Sequence, residues 1–147
     1  MHTVRKKYIV QYAHQLKDSF TTQCWESMHG HQGVVELFFQ CNDLDKDAMV
    51  IDFGHISEIV KPWIMETFDH AVIVPSGLDP EYIESIEKFN KRVVLTPSNP
   101  TAEYFAVMIY EQVEQLILNL QAETSRRFWL HKVRFHETDS GFAEYTR

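Results

Sequence analysis

The segment HGHQGVVELFFQC, residues 29–41, sets the architecture of this chain. Residues two apart on a β-strand project from the same face, so an apolar residue at every second position builds a buried face. The later part of the segment has such a face, formed by Val35, Leu37, Phe39 and Cys41. The other side, from Val34 to Gln40, mixes apolar with polar residues. The pattern predicts a largely buried strand from His31 to Cys41.

Further strands are predicted on both sides of this segment. Thr3–Ala13 combines β-branched and aromatic residues in rough alternation, which is typical of a strand. Phe128–Glu137 has the same character, and Asp139-Ser140-Gly141 predicts a hairpin turn into a last strand, Phe142–Tyr145. Two shorter apolar segments, within residues 71–79 and at 93–95, also favour extended structure.

Helical periodicity lies between the second predicted strand and the last two. Apolar residues recur at helical spacing from Phe53 to Phe68 after Asp52, which can cap the first turn, while Pro62 predicts a kink or an early break. Asp79-Pro80 predicts the start of a short helix, and Asn99-Pro100-Thr101 predicts the start of a long one. This order favours an α+β fold with a four-stranded antiparallel sheet and two main helices on one face.

Length and composition limit the functions that this chain can have. It has 147 residues without a linker or an internal repeat, which predicts one domain over residues 1–147. A formal charge of −7 argues against a nucleic-acid or anionic-membrane partner, and the first residues lack the apolar core of a secretion signal. We therefore expect a cytoplasmic protein with Cys24 and Cys41 as free thiols. The sequence lacks the glycine-rich loops that bind nucleotide phosphates.

Eight histidines stand out in this composition, because imidazole is the commonest metal ligand in proteins. His29 and His31 stand two apart at the start of the second predicted strand and therefore share a face. His14 closes the first strand, so antiparallel pairing of the two strands would bring it close to both. Three neutral imidazoles can hold zinc with one position open. The spacing alone also fits an ordinary polar strand edge.

Other side chains could carry acid–base chemistry. Cys24 lies in a polar loop five residues before His29, where a nearby dication would make its thiol a usable base; an inert buried thiol is the alternative. Glu26, in the same loop, is a second possible base or a solvated carboxylate. Asp69-His70 could be an oriented acid–base pair or simply a helix end. The carboxylate in His136-Glu137-Thr138 could bind a ligand amide or form a surface pair.

Seven short motifs, taken in order, carry a family resemblance that spans nearly the whole chain. They are Tyr12-Ala13-His14, Cys24, His29-Gly30-His31, Ile51-Asp52-Phe53, Phe68-Asp69-His70, Asn99-Pro100-Thr101-Ala102-Glu103 and His136-Glu137-Thr138. With these motifs the chain resembles the 6-pyruvoyl-tetrahydropterin synthase and 6-carboxy-tetrahydropterin synthase family. The resemblance implies the tunnelling fold, in which subunits assemble into barrels. The usual assembly is a hexamer, a dimer of trimers, with pockets between subunits.

The resemblance also implies a role for each motif and a strongly anionic substrate, 7,8-dihydroneopterin triphosphate. The implied assignments are Cys24 as the catalytic base, Asp69 and His70 as a second acid–base element, Glu137 as the anchor of the pterin ring, Thr101 and Glu103 as further substrate contacts, and His14, His29 and His31 as zinc ligands. Some of the basic residues would have to create a local positive field for the triphosphate in this acidic chain. The candidates are Lys6, Lys7, Lys17, Arg126 and Arg127.

The chain departs from a single branch of the family around Cys24. The interval from Cys24 to His29 lies between those of the carboxy-forming and pyruvoyl-forming branches, and Glu26 resembles the glutamate of a third, folate-type branch. The leading hypothesis is a zinc-dependent lyase that forms 6-carboxy-5,6,7,8-tetrahydropterin on the route to deazapurines such as queuosine. The alternatives are formation of 6-pyruvoyl-tetrahydropterin, formation of 6-hydroxymethyl-dihydropterin through Glu26, and a non-catalytic oligomer that binds pterin or metal.

Overall fold

The computed structural model describes residues 1–123 and 128–147, in which strands and helices are interspersed. The elements are β1 (His2–His14), α1 (Thr22–Glu26), β2 (His29–Cys41), α2 (Phe53–Phe68), β3 (Ala71–Pro75), α3 (Pro80–Phe89), β4 (Val93–Thr96), α4 (Ala102–Glu123), β5 (Phe128–His136) and β6 (Phe142–Thr146). Their content confirms the predicted α+β class. The short helix α1 falls where the sequence predicts a polar loop.

One sheet contains all of these strands, in the order β4-β3-β1-β2-β5-β6. The strands β1, β2, β5 and β6 pair antiparallel, as predicted, whereas β3 is parallel to β1 and β4 is parallel to β3. The predicted strand count is therefore wrong, since the described strands make a mixed sheet of six. β3 and β4 are short apolar segments without alternation, and their parallel pairing depends on the crossover through α3. The sequence predicts this helix but not that it returns the chain to the edge of the same sheet.

The main core lies between the sheet and the two long helices, α2 and α4. The side chains of Val10, Leu37 and Phe135 point from the sheet into this core and are fully buried. They belong to one cluster with Ile64 of α2 and Phe105 of α4. The prediction of two main helices on one face is confirmed. No described helix is both long and apolar enough to cross a membrane.

The helix α2 continues through Pro62 as far as Phe68, so the early break that this proline predicts does not occur. Proline removes one backbone N–H and leaves the carbonyl four residues earlier without its helical partner. Pro62 lies on the exposed side of α2, where water can hydrogen-bond that carbonyl. Asp52 caps the helix as predicted, since its Oδ1 accepts a hydrogen bond from the backbone N–H of Gly54 (2.6 Å).

The helix α3 covers the other face of the sheet at β3. Ala71 and Ile73 belong to the main core, whereas Val72 and Val74 form a second cluster with Ile86 of α3. Successive strand residues point to opposite faces, so α3 and the two long helices lie on opposite sides of β3. Along β1 this second face is exposed; we call it the open face, and its residues include Arg5, Lys7, Ile9 and Gln11.

Candidate metal centre and active site

Three histidines meet at one end of the β1–β2 pair. The two strands are antiparallel, as predicted, and their register sets His14 opposite His29 and Tyr12 opposite His31. Residues directly opposite or two apart share a face, so all three imidazoles project from the same side of the sheet. One ligand nitrogen from each lies within 4.8 Å of the others. We call His14, His29 and His31 the histidine triad.

Backbone carbonyls orient two of these imidazoles. His14 Nδ1 donates a hydrogen bond to the carbonyl oxygen of Pro100 (2.8 Å), and His29 Nδ1 donates one to that of Ser27 (3.0 Å). A carbonyl oxygen only accepts, so each Nδ1 carries the proton and each Nε2 keeps its lone pair. His31 Nε2 is buried and has no hydrogen-bond partner among the described residues. The three Nε2 atoms therefore fit the donor set of a bound metal ion.

Burial keeps two members of the triad neutral. His14 is 2% exposed, and the loss of hydration lowers its pKa to about 4, although the hydrogen bond with Pro100 opposes this shift. Burial also lowers the pKa of His31, against the opposing effect of the Glu137 carboxylate. Only a deprotonated ring nitrogen can bind a metal. Near neutral pH, His14 and His31 are therefore already in the neutral form that can bind a metal ion.

Glu137 faces the triad from the end of β5. Its Oε1 lies 3.5 Å from His14 Nε2 and 3.8 Å from His31 Nε2. The backbone N–H of Glu137 donates to the carbonyl oxygen of Gly141 (3.1 Å), which fixes the start of the β5–β6 turn. Glu137, His31 and Lys7 line a common groove of about 640 Å³. From this position the carboxylate can accept hydrogen bonds from a ligand in the groove.

An aromatic wall lies behind the triad. The ring centroid of Tyr12 is 5.2 Å from that of His14 and 5.7 Å from that of His31, and Phe105 packs against Tyr12 at 5.5 Å. Gly33 leaves room for this ring, because a Cβ at that position would lie 2.9 Å from Tyr12 Cε1. Both this packing and the hydrogen bonds therefore restrict the rotamers of the triad.

Cys24 and Glu26 lie on α1. The side chain of Cys24 is half-buried, and Glu26 is exposed. The carbonyl oxygen of Cys24 accepts a hydrogen bond from the backbone N–H of Leu16 (2.9 Å), a residue that closely follows His14. The described cluster of metal-ligating atoms contains the three histidines and not this thiol. The Cys24 segment is thus tied to the triad through the backbone.

Asp69 and His70 form a hydrogen-bonded pair at the end of α2, one of the two possibilities that the sequence leaves open. His70 Nδ1 donates to Asp69 Oδ2, and the backbone N–H of Gln11 donates to Asp69 Oδ1, each over 2.9 Å. The hydrogen bond from Gln11 is the main reason why the pKa of the Asp69 carboxyl lies below its ordinary value, and His70 contributes to the same shift. His70 has a φ of 56°, in the left-handed region, and its side chain is 80% exposed.

This Asp69–His70 pair is separate from the triad in this chain. His70 borders a shallow groove of about 520 Å³ on the open face, beside Gln11 and Gln32. The triad projects instead toward α4. His31 also borders the groove, but among the described residues no hydrogen bond or ion pair joins Asp69 or His70 to a triad side chain. The structure therefore brings the three histidines and Glu137 together, whereas the Asp69–His70 pair shares only the open-face groove with His31.

The segment before α4 builds one side of the site. Asn99 Oδ1 accepts a hydrogen bond from the backbone N–H of Lys17 (2.7 Å), and Asn99 Nδ2 donates one to the carbonyl oxygen of Asp18 (3.0 Å). Thr101 caps α4, since its hydroxyl accepts from the backbone N–H of Tyr104 (3.3 Å). Glu103 is exposed in the first turn of α4. That Thr101 and Glu103 contact the substrate stays a prediction.

The basic residues expected to meet a triphosphate lie in different places. Lys7 lines the groove of about 640 Å³. Lys6 Nζ lies 5.6 Å from the centroid of the Phe53 ring, and the backbone of Lys17 is held by the segment before α4. The remaining two candidates lie outside the described residues; they are Arg126 and Arg127.

Comparison with known proteins connects this geometry to a family. The profile of the family described as 6-pyruvoyl tetrahydropterin synthase matches residues 3–147. The chain belongs to the 6-pyruvoyl tetrahydropterin synthase family. The resemblance carried by the seven sequence motifs is thereby confirmed.

Several relatives within the 6-pyruvoyl tetrahydropterin synthase family are named 6-carboxy-5,6,7,8-tetrahydropterin synthase. One from Rickettsia conorii is 33% identical over 118 residues, which are 80% of this chain and 81% of the relative. One from Helicobacter pylori is 30% identical over 142 residues, which are 96% of this chain and 70% of the relative. These similarities confirm the prediction that the chain is an enzyme of the family.

Solved structures show the same fold. An uncharacterized protein from Wolinella succinogenes superposes with a TM-score of 0.80 at 21% identity, over 99% of this chain and 97% of its own. A 6-pyruvoyl tetrahydropterin synthase from Plasmodium vivax superposes with a TM-score of 0.69 at 20% identity, over 100% of this chain and 99% of its own. The subunit fold that the resemblance implies is confirmed.

Several groups at the site of this tetrahydropterin synthase family member are missed by sequence reasoning. The carbonyls of Ser27 and Pro100 orient two imidazoles of the triad, but a backbone oxygen is common to every residue type and leaves no signal in the sequence. Gly33 makes room for Tyr12 from across the strand pair. Gln15 is buried and hydrogen-bonded to α1, and its only signal is its position next to a candidate metal ligand.

Proposed function

We propose that this chain is a zinc-dependent lyase that converts 7,8-dihydroneopterin triphosphate to 6-carboxy-5,6,7,8-tetrahydropterin. The observation that carries the proposal is the histidine triad, whose ligand nitrogens converge beside the Glu137 carboxylate. Relatives at 30% and 33% identity that are named for this synthase support the choice of product. The reaction would serve a cytoplasmic route to deazapurines such as queuosine.

Zinc is the ion that suits the triad best. Three neutral imidazoles with one open position are typical of a catalytic zinc site. When bound, zinc would supply Lewis acidity toward the hydroxyl groups of the substrate side chain. The chain contributes the arrangement of the ligands, because burial keeps His14 and His31 neutral, while Pro100 and Ser27 direct the Nε2 atoms of His14 and His29.

Glu137 would orient the pterin ring. A carboxylate has two oxygens and can accept hydrogen bonds from both the ring N–H and the 2-amino group of a pterin. Such a pair would fix the ring in its plane and direct the substrate side chain toward the triad, of which His14 and His31 lie within 3.8 Å of this carboxylate. Lys7, in the same groove, is placed to attract the anionic triphosphate.

Cys24 and His70 would transfer the protons. As a thiolate, Cys24 would take a proton from the substrate side chain. His70 has its Nδ1 hydrogen-bonded to Asp69, so its Nε2 is the atom that would donate or accept a proton on the opposite side of the substrate. The carboxylate of Asp69 holds the ring in this orientation.

The exposed Asp69–His70 pair supports an assembled enzyme. A proton-transfer group must lie within hydrogen-bond reach of the substrate, but this pair makes no contact with the triad of its own chain among the described residues. We therefore propose a homo-hexamer, a dimer of trimers, in which the pair of one copy approaches the triad of another. The open face would then be covered by neighbouring copies.

Glu26 carries a second candidate function. It is exposed on α1, close after Cys24, so the same helix could present a carboxylate as the base instead of a thiolate. The product would then be 6-hydroxymethyl-dihydropterin, whereas 6-pyruvoyl-tetrahydropterin would again require the thiolate. A non-catalytic pterin-binding protein is the alternative of another class, and it would give the oriented Asp69–His70 pair no function.

The test is mass-spectrometric identification of the product that the zinc-loaded protein forms from 7,8-dihydroneopterin triphosphate. Cys24→Ala should lower kcat for the carboxy product by about 10²–10⁴-fold, the usual contribution of a general base, and Glu26→Ala should leave it unchanged. Cys41→Ala, which removes the other thiol, is the matched control. The reverse pattern with a hydroxymethyl product would favour the folate-type function. Pterin binding without turnover would favour the non-catalytic one.

A further inference from the structure

The helix that carries Cys24 has little packing of its own. It has five residues, from Thr22 to Glu26, and none of them is buried. Its N-cap residue, Thr21, makes no side-chain capping hydrogen bond. A helix this short is not stable by itself, because nucleation costs more free energy than a single turn recovers. The position of Cys24 must therefore depend on contacts that reach α1 from outside.

Two consecutive residues after the first triad histidine supply these contacts. The backbone N–H of Leu16 donates to the carbonyl oxygen of Cys24 (2.9 Å). The side-chain Nε2 of Gln15 donates to the carbonyl oxygen of Trp25 (2.7 Å). Both acceptors are peptide groups next to the thiol. Since His14 immediately precedes Gln15, these bonds fix α1 relative to the triad.

The orientation of the Gln15 amide is set from the other side by Tyr82. The carbonyl of Trp25 only accepts, so the amide nitrogen of Gln15 must face it, and Oε1 points away. The hydroxyl of Tyr82 donates to this oxygen over 2.6 Å. Tyr82 lies in the first turn of α3, where its backbone N–H donates to the capping carboxylate of Asp79 (3.1 Å). Gln15 is 9% exposed, so solvent competes little for these bonds.

We propose that Gln15 is a positioning residue that holds the Cys24 thiol at its working distance from the metal centre, with Tyr82 fixing the Gln15 amide. This inference rests on the proposed role of Cys24 as the base. Gln15 touches neither metal nor substrate in this role, and it acts only through the backbone of α1. Its loss should therefore lower the rate of the chemical step and leave metal binding and substrate binding nearly unchanged.

The kinetic test compares Gln15→Met, which keeps the length of the side chain without its hydrogen bonds, with Gln15→Glu, which can still accept from Tyr82 but cannot donate to Trp25. Both should lower kcat by about 100-fold, as a displacement of about 1 Å in a catalytic group does. KM should stay within about threefold of the parent, and zinc content should not change. Tyr82→Phe, which removes only the second bond, should have a smaller effect in the same direction.

A second measurement does not depend on catalysis. Amide hydrogen exchange of residues 22–26 should become faster in Gln15→Met while exchange in β1 and β2 stays slow, because only the short helix loses its support. The half-buried Cys24 should also react faster with iodoacetamide, with buried Cys41 as the internal reference. Gln40→Met, at the far end of β2, is the control: it makes the same substitution but removes an exposed hydrogen bond to Thr3, far from α1.

These measurements distinguish a failure of the Gln15 proposal from a failure of the proposed role of Cys24 as the base. Unchanged exchange in residues 22–26, or a kcat within about twofold of the parent in Gln15→Met, overturns the positioning role. If Cys24→Ala keeps the parental kcat, the proposed base is wrong, while exchange in residues 22–26 still decides whether Gln15 holds α1. Should Gln15→Met fail to fold, Gln15→Glu and Tyr82→Phe provide the same readouts.

Discussion

The histidine triad and the Asp69–His70 pair belong to the same sheet but are held in opposite ways. His14 is buried at 2% exposure, directed by a backbone carbonyl, and kept neutral by the loss of hydration. His70 is 80% exposed and directed by a carboxylate. Burial among carbonyls and aromatic rings suits a ligand that must keep its lone pair. Exposure beside a carboxylate suits a proton-transfer group that contacts its substrate only after a second copy of the chain has bound.

This contrast divides the proposed chemistry between two parts of the chain. The triad needs only the β1–β2 pair and the start of α4, so one folded copy contains it completely. Among the described residues, no hydrogen bond or ion pair joins the Asp69–His70 pair to a triad side chain, and the proposed function places this pair at the pocket of a neighbouring copy. Metal binding should therefore be a property of the single chain, and turnover a property of the assembly.

The largest expected effect is the loss of metal from triad variants. His29→Ala and His31→Ala each remove one of the three proposed ligands. Zinc affinity should therefore fall by more than about 100-fold, a larger loss than is usual when a residue that only orients a ligand is changed. Metal content per chain, measured by mass spectrometry after dialysis, should drop close to zero. His55→Ala changes an exposed histidine of α2 and should keep the parental content. An unchanged metal content in either triad variant would contradict the assignment of the histidine triad as the zinc site.

The next prediction concerns the separation of the two histidine groups. His70→Ala should lower kcat by about 10²–10⁴-fold and retain zinc. His70→Ala and His29→Ala chains can be co-expressed with two different tags. If the proposed assembly forms from them, a pocket that takes its triad and its Asp69–His70 pair from different copies is intact in about one quarter of cases. Activity should recover to that level in oligomers purified through two tags. Inactive mixed oligomers would show instead that one chain supplies both groups.

The smallest effect is on the stability of the metal-free protein. The pKa of His14 is about 4 in the folded state and 6.5 in its unperturbed state, so the unfolded chain binds more protons between these values. Unfolding free energy should therefore be highest above pH 6.5 and should decline as the pH falls toward 4. The expected loss is about 2 kcal/mol between about pH 7 and about pH 5.

Urea unfolding of the chelator-treated protein measures this loss. His14→Gln removes the titrating group and should flatten the dependence on pH, whereas His55→Gln, at an exposed position, should retain it. A parental slope in His14→Gln would mean that another group causes the decline.

The sequence was informative where a pattern is local. Alternation predicts β1 and β2 as strands, and the order of the elements favours an antiparallel sheet. Antiparallel pairing of these two strands brings His14 to His29 and His31. Adjacency at the end of a helix also makes the Asp69–His70 hydrogen bond possible, and the structure contains it. For these features, neighbours in the chain or across one strand pair contain all the necessary information.

The remaining features depend on contacts between distant segments. The parallel position of β3 beside β1 requires the chain to return through β2 and α2, and the orientation of His14 requires the carbonyl of Pro100, far along the chain. Gln15 gains its partners only when α1 and α3 are both in place. Neither residue type nor spacing encodes such meetings, so the support of the site emerges only with the tertiary structure.

The left-handed backbone at position 70 would accommodate glycine more easily than the histidine that is present. A side chain with φ near 56° costs about 1 kcal/mol, and glycine would adopt the same turn without that cost. Folding alone would therefore favour glycine after Asp69. An imidazole at this position lowers stability slightly. Under the proposed function, the end of α2 gives up this stability to present a proton-transfer group.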